Sequence, residues 1–199
     1  MLPITIPLIL FLFPLAYSPG PGNMFFAANG ARFGFRSTLN ANFGYHLATL
    51  IVTYMLGIGF GLGLSHAPTL VTVLRYLGVL YVGYLAWGLM RAGIENNDKQ
   101  AKHASFIDGI VLLVLNPKAY IIIALMFSQF QPASEGVQFY YTIGWISLVF
   151  TLNNMVAFFF WAAIGDKIAG LFREEKTART LNVILGSMLL LVAIWMAVA

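Results

Sequence analysis

Long apolar stretches alternate with short polar loops along the whole chain. Each stretch is about 20 residues long, which is the length that an α-helix needs to cross the hydrocarbon core of a bilayer. The pattern predicts an all-α integral membrane protein with six transmembrane helices. The stretches cover residues 4–28, 38–64, 69–90, 106–127, 139–164 and 180–199.

The composition supports a membrane protein and excludes several other classes. Of the 199 residues, 60% are hydrophobic and only 9% are charged, whereas a soluble domain is about 25% charged. The lipid bilayer is therefore an expected partner. Because the chain has no cysteine, it has no disulfide framework and no thiolate metal site. Its basic residues form no run of the kind that binds nucleic acid.

The placement of the positive charges predicts the orientation in the membrane. All of the 11 Lys and Arg residues except Arg75 and Lys118 fall in the first, third and fifth loops. Because basic loops stay in the cytoplasm, both termini are predicted to lie outside. We interpret residues 1–199 as one transporter domain, in which a cytoplasmic loop, 91–105, joins a half at 1–90 to a half at 106–199.

Two short polar motifs interrupt apolar segments in which no new helix is needed. The first is the segment 18–23 (Ser-Pro-Gly-Pro-Gly-Asn) and the second is 116–118 (Asn-Pro-Lys). Ser and Asn are preferred N-cap residues, and Pro fits the first helical position because it has no N–H to satisfy. We therefore expect one helix start at Pro19 or Pro21 and another at Pro117. In a membrane, such breaks persist only where protein or a water-filled cavity satisfies the released backbone groups.

The two motifs occupy matching places in the two halves of the chain. Each lies in the first apolar segment of its half, and two continuous segments follow it. Because each half has three spans, the second half is inverted relative to the first. Inverted-topology repeats are common in secondary transporters. The sequence therefore predicts a 3+3 inverted repeat in which the first helix of each half is broken.

Together the two breaks predict a binding site for a small anion near the bilayer centre. A helix start presents N–H groups and the positive end of the helix dipole, and such ends attract anions. Lys118 adds a formal positive charge, and a lysine at this depth costs at least about 2.5 kcal/mol on insertion scales. A molecule with a carboxylate suits this arrangement. The candidate substrate-binding residues are Ser18, Pro19, Gly20, Pro21, Asn23, Asn116, Pro117, Lys118 and Asn153.

The further polar residues inside the apolar segments include His46, Asn153 and Asn154. Two interpretations of His46 stay open, since histidine titrates near neutral pH. It either exchanges protons or contacts the substrate, or it is a neutral histidine bonded to a neighbouring helix. Consecutive residues of a helix cannot both face one partner, so we expect one asparagine to line a cavity and the other to bond across an interface.

Other functional classes are weaker fits to these residues. A metal-ion transporter needs Cys, His or carboxylate ligands at depth, and His46 alone is available there. A membrane-embedded enzyme needs clustered His, Asp, Glu or Ser near one surface, and the three His residues are scattered. We expect no cofactor and no metal site. A transporter of another small solute or ion, and an embedded enzyme, are kept as alternatives.

Three motifs together resemble the LysE/RhtB-type family of bacterial amino-acid exporters. They are Pro19-Gly20-Pro21, the stretch 78–84 with its spaced tyrosines, and 116–119 (Asn-Pro-Lys-Ala). The resemblance covers essentially the whole chain in length, spacing and hydropathy. It implies a secondary exporter of amino acids or close derivatives in the bacterial inner membrane, driven by the proton gradient. It also implies that the Pro-Gly-Pro and Asn-Pro-Lys positions are functional.

The chain departs from the family pattern in its acidic residues. Family members often have an acid soon after Pro-Gly-Pro and another in segment five, where this chain has Gly22-Asn23 and Asn153-Asn154. His46, or Asp108 at the inner mouth, is then the candidate for proton coupling. Without a buried carboxylate, a neutral or hydrophobic amino acid is a better substrate than a cationic one.

The oligomeric state is left open by the sequence. Glycines at every second position of the second segment allow a neighbouring helix to approach closely. Such a face permits a homodimer but does not require one. The glycines are Gly57, Gly59, Gly61 and Gly63.

Overall fold

The computed structural model describes residues 2–61, 103–130, 132 and 136–171, and separate residues between 76 and 91 and between 180 and 194. All regular structure in this part of the chain is helical, which confirms the all-α prediction. The helices are α1 (Leu2–Tyr17), α2 (Pro21–Phe33), a 3-10 helix (Phe35–Thr38), α3 (Leu39–Gly61), α4 (Phe106–Val114), α5 (Pro117–Gln129) and α6 (Val137–Leu171).

Helix α6 alone, among the described helices, is long and apolar enough to cross a membrane by itself. The pairs α1–α2 and α4–α5 pass the same test when each pair is taken together. The third and sixth predicted segments fall largely outside the described residues, as do Gly63, Arg75 and most of the loop 91–105. The count of six spans therefore stays a prediction.

The chain bends by 61° between α1 and α2. Helix α1 ends at Tyr17, and Gly20 has an extended backbone with φ −165° and ψ 176°. The two prolines cause this, because each lacks an N–H and disfavours helical geometry in the residue before it. The N-cap of α2 is Gly20, and Pro21 takes the first helical turn. Of the two predicted starts, Pro21 is therefore correct.

A bend of 62° separates α4 from α5. Asn116 is the N-cap of α5, with an extended backbone, and Pro117 follows in the first turn. The last turn of α4 closes through hydrogen bonds from Leu115 N to Val111 O (3.0 Å) and from Asn116 N to Leu113 O (2.9 Å). The helix start predicted at Pro117 is confirmed.

Helices α3 and α6 pack against each other in antiparallel orientation. His46 contacts Asn154, and the rings of Phe43 and Phe159 lie 6.4 Å apart. Towards the other end of α3, Gly57 packs on Phe127 and Ile143. Residue numbers rise along α3 as they fall along α6, which fixes the register of the pair. Gly57 thus serves packing within the chain.

Two close helix crossings depend on reciprocal glycines. Where α2 crosses α6, Gly30 lies against the Ala162 backbone and Gly165 against the Ala27 backbone. Where α3 crosses α4, Gly44 and Gly109 face backbone atoms of the opposite helix in the same way. Small residues let the backbones approach, which is the usual means of tight packing between membrane helices.

A methyl group at one of these crossings should weaken the fold. In Gly165→Ala the new Cβ overlaps the Ala27 carbonyl, so we expect the free energy of unfolding to fall by about 1–3 kcal/mol. The matched control is Gly144→Ala, in which the Cβ lies 3.6 Å from the Tyr54 ring, an ordinary contact. Thermal unfolding of both variants in detergent measures the difference. Equal melting temperatures would show that the crossing is looser than described.

Candidate functional site

Two local side chains bond to carbonyl groups at the end of α1. Ser18 Oγ donates to Leu15 O (3.0 Å), and Asn23 Nδ2 donates from α2 to Ala16 O (2.9 Å). Ser18 therefore closes α1, and the expectation that it caps the following helix is wrong. The double proline explains this, because the helix restarts at Pro21 and leaves Ser18 at the end of α1.

Two distant side chains bond to the next carbonyl groups. Trp161 Nε1, on α6, donates to Tyr17 O (3.1 Å). Lys118 Nζ, on α5, donates to Ser18 O (2.6 Å) and to Ser18 Oγ (3.0 Å). The carbonyl end of a helix carries partial negative charge, so an ammonium is favourable there. The two polar motifs are in direct contact, as the sequence predicts.

Gly20 makes room for the lysine. A Cβ at this position would lie 2.6 Å from Lys118 Cδ and 2.9 Å from Lys118 Nζ. Gly20 is buried whereas Pro19 is exposed. Gly20 therefore lies against the lysine, and Pro19 acts on the bend through its backbone.

The second break is supported by two tyrosines. Asn116 Nδ2 donates to the hydroxyl of Tyr45 on α3 (2.8 Å), and the Tyr120 hydroxyl donates to Val114 O (3.0 Å). The Oδ1 atom of Asn116 is buried and has no hydrogen-bond partner among the described residues. The Asn116 amide thus joins the start of α5 to α3 through its nitrogen, and its oxygen is left as an unpartnered acceptor among the described residues.

A small cavity lies between the two breaks. Its volume of about 10 Å³ is enough for about one water molecule. Its apolar wall includes Phe150 and Phe158. No acidic residue is among the described residues that line it. Its polar lining consists of Asn23, Tyr45, Thr49, Asn116, Lys118 and Asn154.

His46 joins α3 to α6 beside this cavity. Its Nδ1 lies 2.8 Å from the Asn42 carbonyl, which can only accept, so Nδ1 carries the hydrogen. Asn154 Nδ2 lies 3.1 Å from Nε2. Together the two contacts fit a neutral imidazole whose Nε2 accepts from the amide. The arrangement matches the interpretation of His46 as a histidine bonded to a neighbouring helix.

Asn153 and Asn154 face different directions, as consecutive residues of a helix must. Asn154 lines the cavity and is buried, whereas Asn153 is half-buried and does not line it. Of the pair, Asn154 lines the present cavity, because successive helix residues point about 100° apart, and the substrate-binding role of Asn153 stays a prediction.

Asp108 lies apart from this site. Its carboxylate accepts from Ser105 N and Ser105 Oγ, each at 2.8 Å, while Asp108 N donates to Ser105 Oγ (3.3 Å). This reciprocal capping box forms the exposed start of α4. Among the described residues, no three His, Asp or Glu side chains are close enough to share a metal ion.

Sequence reasoning missed Tyr45 and Trp161 as members of the site. Each reaches it from a helix that carries no break. The sequence feature that indicates Tyr45 is its position beside His46, since a polar ring next to a histidine inside an apolar segment suggests a shared polar region. Trp161 carried no such signal, because its role depends on where α6 meets the end of α1.

The Tyr45–Asn116 bond gives a direct test of the site geometry. Tyr45→Phe keeps the buried ring but leaves both polar atoms of the Asn116 side chain unpaired, so the free energy of unfolding should fall by about 1–3 kcal/mol. The control is Tyr141→Phe, at an exposed position. Thermal unfolding in detergent provides the readout. A Tyr45→Phe variant as stable as the control would contradict this bond.

Comparison with known proteins identifies the family. The model of the LysE type translocator family matches residues 13–199. Cysteine/O-acetylserine efflux proteins of Escherichia coli K12, E. coli O139:H28 and Shigella sonnei are each 29% identical over 184 residues, covering 90% of both chains. No solved structure matches significantly. The chain therefore belongs to the LysE type translocator family and is a membrane transport protein rather than an enzyme.

Proposed function

We propose that this protein is a secondary exporter of amino acids or small amino-acid-like carboxylates in the bacterial inner membrane. The main support is the position of Lys118. Its ammonium bridges the two helix breaks beside a cavity, and no acidic residue is among the described residues lining that cavity. Membership of a translocator family supports solute transport as the role of this site.

The two ends of an amino acid match two groups at the start of α5. The Lys118 ammonium would bind the carboxylate as a charge-assisted pair. The unpartnered Asn116 Oδ1, two residues earlier, would accept from the substrate ammonium. The Lys118 ammonium and Asn116 Oδ1 would bind the carboxylate and the ammonium that all amino acids share. The other lining residues would therefore determine which side chain is accepted.

The charge balance of the site favours a neutral or hydrophobic substrate. The described lining contains one cation, Lys118, and no carboxylate that would hold a second positive charge. Phe150 and Phe158 offer an apolar surface to a side chain. The named efflux proteins act on cysteine and O-acetylserine, both of which are neutral amino acids.

Transport would require the site to open. Pockets for small ligands occupy about 300–1,000 Å³, so a cavity of about 10 Å³ is closed to an amino acid. A substrate carboxylate would compete with Ser18 O for the Lys118 ammonium. Its binding would therefore release the end of α1 from α5 and free the two bent pairs to move. This exchange of partners would connect substrate binding to alternating access.

The proposed membrane arrangement follows the sequence. Each bent pair would form one broken span, so that α1–α2 and α4–α5 open the two halves of a 3+3 inverted repeat. Residues 1–199 would form a single six-span domain with both termini outside. A homodimer is compatible with this arrangement.

Proton coupling would run through His46. Its Nε2 atom can take a proton if the Asn154 amide turns and presents its oxygen instead. Asp108 is the weaker candidate, because the capping box at the start of α4 already uses its carboxylate. Exchange of an inward-moving proton for an outward-moving substrate would make this protein an antiporter.

The proposal predicts a selective loss in Lys118→Ala. Losing a hydrogen bond to a charged group costs about 1.5–3 kcal/mol, so substrate affinity should fall about tenfold or more. The matched control is Lys167→Ala, which removes an exposed lysine of α6. Counterflow of radiolabelled cysteine, O-acetylserine, serine, leucine and lysine in proteoliposomes provides the measurement. A thermal-shift series in detergent with the same compounds provides the second.

Neutral amino acids should exchange and should stabilise the wild type, by about 2.7 kcal/mol at about 100 times the dissociation constant. Lysine should do neither. Lys118→Ala should lose both effects, whereas Lys167→Ala should keep them. Preferred exchange of lysine, or undiminished exchange by Lys118→Ala, would contradict the proposed substrate class and site. No exchange of any tested amino acid by the wild type would contradict the function itself.

A further inference from the structure

One face of α3 carries a row of buried polar residues. His46, Thr49 and Thr53 follow one another at spacings of three and four, which places them on one side of a helix. All three are buried, and Asn42, one turn before His46, is also buried. A lipid-facing or purely packing face would be apolar here, since polar groups at membrane depth are expensive.

A second row lies on the facing side of α6. Ser147, Thr151 and Asn154 are separated by four and three residues and are all buried. The neighbouring Leu148 and Leu152 are more exposed and belong to the opposite face. Two polar rows therefore occupy the interface between α3 and α6.

The antiparallel register brings the two rows level with each other. His46 bonds to Asn154, and towards the end of α3 Gly57 packs on Ile143. Between these points Thr49 is level with Thr151, and Thr53 is level with Ser147. At a rise of 1.5 Å per residue, successive pairs are about 5 Å apart. We call these six residues the polar ladder: His46, Thr49, Thr53, Ser147, Thr151 and Asn154.

The ladder is rich in unsatisfied polar atoms. The hydroxyl groups of Thr53, Ser147 and Thr151 are buried without a hydrogen-bond partner among the described residues. The same is true of both Asn42 amide atoms, at the opposite side of His46. Unpaired buried hydroxyls and amides are strongly unfavourable, and buried water is the usual partner of such groups.

The chemistry of these atoms favours water over a bound cation. The Asn42 Nδ2 group is a donor, and a cation cannot satisfy it. Hydroxyl groups donate and accept, as a chain of water molecules requires. The described groups around His46 supply no carboxylate: α6 presents Asn154 and Phe158, α3 presents Tyr45, and Lys118 of α5 lines the adjoining cavity. A bound metal cation would need several oxygen ligands with negative charge, which these groups do not supply, whereas a protonated His46 can donate to the Asn154 oxygen.

The ladder is continuous with the substrate cavity. Thr49 and Asn154 belong to both, because they also line the cavity beside Lys118. From this shared point the ladder runs along α3 towards Thr53, away from the basic loop that precedes α3. Under the predicted topology that direction leads to the outer surface.

We propose that the polar ladder binds a file of water molecules that conducts protons to His46 from its outer end at Thr53 and Ser147, an end that the packing of Gly57 on Phe127 and Ile143 closes in this conformation. An excess proton that enters the file passes from water to water as hydronium and is transferred to His46 Nε2, which leaves a neutral water and an imidazolium, and Asn154 turns its oxygen to accept from Nε2–H. The imidazolium later returns that proton from Nε2 to water on the cavity side. One Nε2–H bond thus forms and later breaks, so that one proton is taken up, one is released and His46 returns to its neutral state. The coupling role rests on the proposed exporter function, whereas the presence of water in the ladder does not.

The first test measures water in the ladder directly. The natural chain has no cysteine, so a single introduced thiol gives an isolated infrared S–H band. In lipid vesicles transferred to D₂O, Thr151→Cys should exchange S–H for S–D at least about tenfold faster than Leu152→Cys. The two positions are adjacent and have the same depth, but Leu152 lies on the exposed apolar face. Exchange at Thr151→Cys that is equal or slower would overturn the proposal.

The second test separates proton conduction from substrate binding. The variant Thr53→Val with Ser147→Ala removes two ladder hydroxyls and keeps similar side-chain volume. We expect pH-gradient-driven uptake of the neutral amino acids tested above to fall about tenfold, with their counterflow within about twofold of wild type. Thr142→Val, which removes an exposed hydroxyl from α6, is the control and should change neither rate.

Each other outcome has a distinct meaning. Equal loss of both rates would assign the ladder to folding or substrate binding, and unchanged rates would leave it without a role in conduction. Uptake driven by a sodium gradient in place of a pH gradient would also overturn the proposal. If the wild type exchanges no amino acid, the exporter function fails, and the infrared comparison still decides whether the ladder holds water.

Discussion

The need to satisfy backbone carbonyl groups at the end of α1 shapes the centre of this structure. Leu15, Ala16, Tyr17 and Ser18 lose their helical partners where the prolines stop the helix, and side chains donate to all four carbonyl oxygens. Inside a bilayer, water is not available for this purpose, and each unsatisfied group costs several kcal/mol. The donors come from α2, α5 and α6 as well as from Ser18, so one local break fixes the relative positions of several helices.

The same contacts explain how a small molecule could move such a structure. Lys118 holds the end of α1 through a hydrogen bond to Ser18 O, and in the proposed mechanism a substrate carboxylate would replace that partner. The ammonium would then be paired in either state, whereas Ser18 O would need water or another donor once the lysine leaves it. The glycine crossings of α2 with α6 and of α3 with α4 are different, since they involve backbone contacts that no ligand replaces. We therefore expect movement at the breaks and rigid behaviour at the crossings.

The sequence predicts the local features of the site well and its long-range contacts poorly. Asn116 and Pro117 predict a helix start because Asn is a preferred N-cap and Pro fits the first helical turn. The contact between the two motifs is expected from their matched places in the two halves of the chain. The sequence does not reveal that Lys118 is already paired, or that Tyr45 and Trp161 complete the site, because these contacts depend on helix register. Ser18 ends α1 and does not cap the next helix, because Pro19 and Pro21 allow two starting points and the helix begins at the second. The sequence leaves open which of Asn153 and Asn154 lines the cavity, because that choice depends on the rotation of α6, which only its packing defines.

Solid-state NMR of the protein in lipid would test the central claim most directly. Chains labelled with ¹⁵N in the lysine side chains and with ¹³C in the serine carbonyl groups report the dipolar coupling between Lys118 Nζ and the Ser18 carbonyl. Lys118→Met provides the background from all other pairs. We predict a strong coupling in the wild type, absent from Lys118→Met, that weakens when a neutral amino acid is added at saturating concentration. An identical ¹⁵N–¹³C dipolar coupling signal in wild type and Lys118→Met would contradict the account, because the two breaks would then not be joined by this lysine.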